Sequence, residues 1–276
     1  MRFTTSRLTS EVLDLPGHET RRLLLLAAGK DSAWMIGDPE VPLGVADRFR
    51  ELVERRRSGE PLQYIEGTVE FGPLQLLADR RALIPRPETE RLWELIVETA
   101  DPDPGVIVDL CTGSGNLALA LAHAFPNAEV YGVDISPAAI SLATENAKRT
   151  GLRASFLVGD LFDVLPEAIR GEVDLLVSNP PYVSTSGMDD LPAEVRDYEP
   201  AMALEAGPTG MAILKRIAGE AGRWLRPGGL LGCEIGETQG EASLRVFSAF
   251  GPRIECDLAG RTRYVVGRAP ECANVH

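Results

Sequence analysis

The sequence predicts an α/β fold with a small helical domain ahead of it, on three observations. Short aliphatic or β-branched runs recur from residue 106 onward, with amphipathic segments between them. A glycine turn follows the first of these runs and opens a helical stretch. The chain has 276 residues, 44% hydrophobic and 25% charged, the balance of a globular protein with room for a medium domain and an appendage.

In chain order, Leu23, Leu24, Leu26 and Ala27 make one apolar helical face, and Phe49, Leu52 and Val53 repeat it on a second helix. Pro39, Pro42 and Gly44 separate the two. Arg55–Arg57 followed by Ser58–Pro61 reads as a helix C-terminus, with cations at its negative end; a docking patch is the alternative reading. Between Gln63 and Leu83 the period shortens around Gly67, Gly72 and Pro73, which predicts a hairpin between two domains. The expected division is a helical domain over 1–72, a hairpin linker over 73–86 and the α/β domain over 87–276. There, Val106–Leu110, Glu129–Val133, Ala154–Val158, Asp174–Ser178, Gly229–Ile235 and Tyr264–Gly267 read as strands of a parallel sheet. Leu117–Ala124 and Ala138–Lys148 read as helices between them.

Lys and Arg number 28 against 41 Asp and Glu, a formal charge of −13, which argues against a protein that coats nucleic acid. Residues 1–75 alone hold 10 basic and 12 acidic side chains. The longest apolar stretch near the N-terminus, Leu23–Gly29, falls far short of a membrane span, and no secretory signal pattern is present. A cytoplasmic protein without membrane contact is expected. Cys111, Cys233, Cys256 and Cys272 have no CxxC spacing and read as reduced, mostly buried thiols; no metal site is expected.

The first strand runs through Asp109 into Cys111–Thr112–Gly113–Ser114–Gly115, and Asp134 ends the second strand nineteen residues after Gly115. That order suits a nucleotide cofactor whose ribose hydroxyls bond to the acid. NAD fits, with Ala118 at the third small position, and so does S-adenosylmethionine, whose cationic sulfonium favours acidic surroundings such as Asp109. Asp160, after the third strand, falls where the adenine is expected, or else caps the next helix. The fourth strand delivers Asn179–Pro180–Pro181–Tyr182 to the crevice where ligands bind in such sheets. The prolines stiffen this cluster, in which the Asn179 oxygen and the Pro180 carbonyl can each accept one hydrogen of a planar –NH2 while Tyr182 stacks on it.

These residues resemble the bacterial protein-(glutamine-N5) methyltransferases that modify peptide-chain release factors. The likeness extends to Gly59–Gly67, the Leu83–Ile–Pro–Arg–Pro–Glu–Thr–Glu90 run, Tyr198–Pro200 and Asp257–Arg261. The tetrapeptide is shared with adenine-N6 methyltransferases of nucleic acid. The run over 83–90 resembles the release-factor branch, and a sister branch acting on a ribosomal-protein glutamine usually differs there. The first forty or so residues match poorly. The resemblance implies a class I, Rossmann-like methyltransferase domain with a seven-stranded sheet, behind an N-terminal domain that helps to hold a release factor. It places Cys111, Thr112, Gly113, Ser114, Gly115, Asp134, Leu161 and Asn179 against S-adenosylmethionine, beside Asp160, which is placed there by its position alone. Asn179, Pro180, Pro181 and Tyr182 would form the glutamine pocket, with Asn179 and Pro180 as the catalytic acceptors.

Overall fold

The computed structural model describes residues 3–271, which form two compact units: 3–68 with 193–198, and 69–192 with 199–271. Cys272 lies outside the described residues.

In the first unit, β1 (Phe3–Thr4) and β2 (Glu40–Val41) pair antiparallel beside helices α1 (Thr5–Ser10), α2 (Gly17–Ala28), α3 (Leu43–Arg57) and α4 (Leu62–Glu66). Leu23, Leu24 and Ala27 of α2 meet Phe49, Leu52 and Val53 of α3 in one apolar core, as their spacing predicts. The Arg55–Arg57 run is engaged in ion pairs. Arg55 bonds to Glu60 and Arg57 to Asp14 and Glu54, while Arg56 reaches Glu19 at 2.6 Å and Glu194 at 2.6 Å. Glu194 belongs to the short helix over 193–198, which Arg56 thereby ties to the other helices of this unit.

The remaining elements are β3 (Thr68–Phe71), β4 (Leu74–Leu77), α5 (Pro87–Thr99), β5 (Val106–Leu110), α6 (Asn116–Ala124), β6 (Glu129–Asp134), α7 (Pro137–Thr150), β7 (Ser155–Val158) and β8 (Val173–Ser178). Then follow α8 (Ala193–Tyr198, of the first unit), α9 (Ala212–Trp224), β9 (Leu225–Glu234), α10 (Gly240–Val246), β10 (Arg253–Cys256) and β11 (Thr262–Arg268). The predicted hairpin is β3–β4, whose first strand begins at Thr68, and Phe71, Leu74 and Leu76 enter the core of the second unit.

The large sheet has seven strands in the order β10-β11-β9-β8-β5-β6-β7. Strands β5 to β9 are mutually parallel, but β11 is antiparallel to both β9 and β10. The expectation of a parallel strand at Tyr264–Gly267 is therefore corrected. Only the turn over 257–261 separates β10 from β11, too short for the crossover that a parallel pair requires. Strand β10 itself is a half-exposed edge, so Arg253–Cys256 carries no continuous apolar run to reveal it.

Alternation along β5 sends Val108 and Leu110 into a core with Leu214, Ile217 and Trp224 of α9. Ile107 goes to the opposite core with Leu92 and Ile96 of α5. Helix α5 starts with Pro87 at its first turn and buries Thr89, Leu92, Leu95 and Ile96 along one side. It packs so closely that a Cβ on Gly232 of β9 would stand 2.5 Å from Ile96 Cδ1. Strand order reverses between β5 and β8, so the loops after Leu110 and Ser178 open at one crevice.

Candidate active site

The turn after β5 is built on a buried acid. Asp109 is fully buried; its Oδ2 accepts from Thr112 Oγ1 at 2.6 Å and from the Ala118 N–H at 3.1 Å, while Oδ1 has no partner. Burial pushes its carboxyl up to about 7 against those two hydrogen bonds. Cys111, Gly113 and Gly115 all have positive φ, at 58°, 55° and 79°. A Cβ on Gly115 would meet Phe156 Cζ at 2.9 Å and Ala143 Cβ at 3.1 Å, so this glycine is required for conformation and for space. Gly115→Ala is expected to cost roughly 2–4 kcal/mol. An unchanged denaturant midpoint would show that the entry to α6 has slack.

Asp134, at the end of β6, already holds the loop. Its Oδ2 accepts from Gly113 N–H and its Oδ1 from Ser136 N–H, both at 2.9 Å. Each oxygen keeps a further lone pair. Burial raises this carboxyl above the ordinary range, opposed by the two backbone donors.

Asn179 follows β8, and its Nδ2 donates to Thr89 Oγ1 at 2.9 Å. Thr89 donates in turn to Glu234 Oε2 at 2.7 Å, and Tyr182 Oη donates to Glu234 Oε1 at 3.2 Å. Glu234 ends β9 and is 1% exposed; burial pushes its carboxyl up to about 7. The Tyr182 carbonyl accepts from Gln239 Nε2 at 3.0 Å, which anchors the far end of the tetrapeptide. Sequence reasoning assigned no role to Glu234. The available signal was an acid closing an otherwise apolar strand, at the sheet edge where ligands bind.

A cavity of about 330 Å³ opens at the crevice. Of the predicted residues it brings together Cys111, Thr112, Gly113, Asp134, Asp160, Leu161, Asn179 and Pro181. Ser114 and Gly115 lie outside its lining: Ser114 is buried with its carbonyl bonded to Asn146, and Gly115 faces Phe156. Pro180 and Tyr182 also lie outside it, one buried and the other half-buried with its hydroxyl on Glu234. Asp160 pairs with Arg216 at 3.0 Å instead of capping through its side chain, and Leu161 takes a positive φ of 50°. Leu83, Ile84, Pro85, Arg86 and Thr89 form another wall, with Arg86 paired to buried Glu199. Cys111 is half-buried and burial raises its thiol pKa; Cys233 is buried, but Cys256 is exposed at the edge strand, against the expectation of mostly buried thiols. No helix among the described residues is long and apolar enough to cross a membrane, and none of their acidic, His or Cys side chains cluster as metal ligands.

The strand order, the glycine turn and the acid at the end of β6 define a class I methyltransferase domain. A family model for a methyltransferase domain matches residues 103–239, and one for the PrmC N-terminal domain matches 1–67, which includes the first forty residues that match poorly by motif. Release factor glutamine methyltransferases from Moorella thermoacetica and Geobacter sulfurreducens are 43% and 41% identical, over 82% and 91% of this chain and 81% and 88% of their own lengths. That from Deinococcus radiodurans is 37% identical over 96% of this chain and 95% of its own. The chain belongs to the release factor glutamine methyltransferase family. Among solved structures, a methyltransferase from Pyrococcus furiosus superposes with a TM-score of 0.53 at 16% identity, covering 82% of this chain and 99% of its own. A T. thermophilus 16S rRNA methyltransferase does so at 0.52 and 19%, covering 73% and 49%; both likenesses concern the fold.

Proposed function

We propose that this protein transfers the methyl group of S-adenosylmethionine to the side-chain amide nitrogen, N5, of the glutamine in the Gly-Gly-Gln motif of peptide-chain release factors, in the cytoplasm. The observation that carries the reading is Asn179, whose side chain lines the cavity with its –NH2 already committed to Thr89 and its Oδ1 unbonded among the described residues.

The cavity suits the cofactor. Asp109, a fully buried acid at the cavity wall whose Oδ1 has no partner, suits a cationic ligand through its field and not through direct contact. The remaining lone pairs of Asp134 match two ribose hydroxyls, and Ile135, Ala139, Leu161 and Ile213 offer apolar surface to an adenine. Asp109 weighs against NAD. Its carboxyl takes the Ala118 N–H at the first turn of α6, where a dinucleotide would seat its pyrophosphate.

When bound, S-adenosylmethionine supplies an electrophilic methyl group on a sulfonium. A glutamine nitrogen is a poor nucleophile because its lone pair is delocalised, and no histidine lines the cavity to take its proton. The protein's contribution is alignment, worth up to ~7–11 kcal/mol in favourable systems. Asn179 Oδ1 accepts one N–H of the substrate amide; Pro180, the next residue, is buried outside the lining, and its carbonyl would take the other N–H from the edge of the cavity. As that nitrogen becomes cationic these bonds strengthen by about 1–3 kcal/mol each, and its surplus proton passes to solvent after transfer, leaving the neutral N-methyl amide. The N-terminal unit, in this reading, engages the folded substrate protein.

Labelled S-adenosylmethionine offered with a release factor, a Gly-Gly-Gln peptide, a ribosomal-protein substrate and DNA should label the release-factor glutamine in preference to the others. Label confined to the ribosomal protein or to DNA would overturn the assignment.

A further inference from the structure

Resting on the amide-methylation reading, we infer that Thr89 and Glu234 set the polarity of the Asn179 side chain, turning its –NH2 away from the substrate glutamine and leaving Oδ1 as the acceptor.

A primary amide is nearly symmetric in shape, so its two orientations differ in what they present: an acceptor or a pair of donors. A flipped Asn179 would set donors against the donors of the substrate –NH2. Asn179 by itself does not choose between them. The choice is made two bonds away. Thr89 has one hydroxyl proton, directed at Glu234 Oε2 at 2.7 Å, so it offers Asn179 only lone pairs and receives Nδ2–H at 2.9 Å. The other Glu234 oxygen receives the Tyr182 hydroxyl, so one carboxylate orients both ends of the tetrapeptide.

An ionised carboxylate only accepts, which makes the direction of the chain unique. A protonated Glu234 can donate to Thr89, whose proton then turns towards Asn179 and favours the flipped amide. The groups facing Glu234 are Thr89 and Glu88 on α5, Tyr182 after β8, and Arg263 and Tyr264 on β11. Arg263 favours the charged form, while Glu88 and above all burial oppose it, holding the carboxyl at about 7. Neither Thr89 nor Glu234 is assigned a contact with the reacting atoms; both are positioning residues.

The test uses the full chain, labelled with 15N, and single-turnover transfer to a Gly-Gly-Gln peptide at saturating cofactor. Thr89→Val should slow transfer at least ~10-fold at saturating cofactor, a larger effect than any on cofactor affinity, and Thr89→Ser should restore most of the rate. In the wild type the Asn179 side-chain amide resonance, identified by its absence in Asn179→Ala, should shift as pH passes through neutrality. Transfer should fall on the acid side of that shift. Glu234→Gln should be slow and should lose the pH response of the Asn179 resonance, whatever acid-side fall in transfer Asp109 still contributes; if it fails to fold, the Thr89 pair carries the test. Wild-type rates in folded Thr89→Val, or an amide signal indifferent to pH and to these substitutions, would overturn the inference. A wild-type protein that leaves both the peptide and an intact release factor unmethylated would instead reject the functional reading, and the resonance would still report the polarity.

Discussion

Asn179→Ala is expected to lower single-turnover methyl transfer by a factor on the order of 100 or more, with cofactor affinity reduced only modestly. Two losses combine. The substitution deletes the acceptor that orients the substrate –NH2, and it removes a hydrogen bond that strengthens as charge develops on the nitrogen. It also strands Thr89 Oγ1, which accepts Nδ2 at 2.9 Å, so a small loss of stability accompanies the kinetic effect. The glycine turn, Asp134 and Leu161, which line the cavity from other loops, would hold most of the cofactor in this reading. Asn179→Asp is the sharper probe. A carboxylate there cannot donate to Thr89, whose single proton is then contested by two acids, one of them the buried Glu234. Severe loss in this variant together with Asn179→Ala identifies orientation as dominant, whereas partial activity identifies acceptance. Near-wild-type transfer by Asn179→Ala would reject the mechanism.

Asp134→Ala is expected to weaken S-adenosylmethionine binding at least ~100-fold, as two hydrogen bonds to a charged acceptor are lost at about 1.5–3 kcal/mol each and about 1.4 kcal/mol is tenfold. The fold adds a second reason. The same carboxylate takes Gly113 N–H and Ser136 N–H at 2.9 Å, so alanine also loosens the glycine turn. Calorimetry with S-adenosylmethionine and its demethylated product S-adenosylhomocysteine separates the two effects when read beside the denaturant midpoint. A stability loss of about 1–2 kcal/mol, read as a lower midpoint, is expected from the turn alone. Affinity equal to the wild type would sink the assignment. Because burial raises this carboxyl, its protonated fraction at mildly acid pH exceeds that of an ordinary aspartate, and protonation removes one acceptor from the ribose site. Binding should therefore weaken as pH falls, and in Asp134→Ala this contribution should vanish.

Much of this protein is set by local pattern and is legible in the chain. The runs at 106–110, 129–133 and 174–178 are strands because β-branched and aliphatic residues there must be covered on both faces, and the structure returns them within a residue or so. The turn at 111–115 and the acid at 134 follow from spacing, since strand length and the glycines place both at the same end of the sheet. Asn179–Tyr182 emerges at the crevice for the same reason.

What the sequence left undetermined depends on groups distant in the chain. Strand β11 runs antiparallel because the short turn at 257–261 forbids a crossover, and β10 lies at an edge where half-exposed residues carry little hydrophobic signal. The placement of Ser114, Gly115, Pro180 and Tyr182 outside the cavity was set by packing: Phe156 and Ala143 crowd the space beside Gly115, and Tyr182 turns its hydroxyl to Glu234. Above all, Thr89 and Glu234 are 145 residues apart. No periodicity joins them, because hydrogen bonds are made across space by whichever polar atoms the packed helix α5 and strand β9 bring within 3 Å. The residue types that bear the chemistry were thus determined locally, and the direction in which Asn179 points its amide was decided only when three separate elements closed around a buried carboxylate.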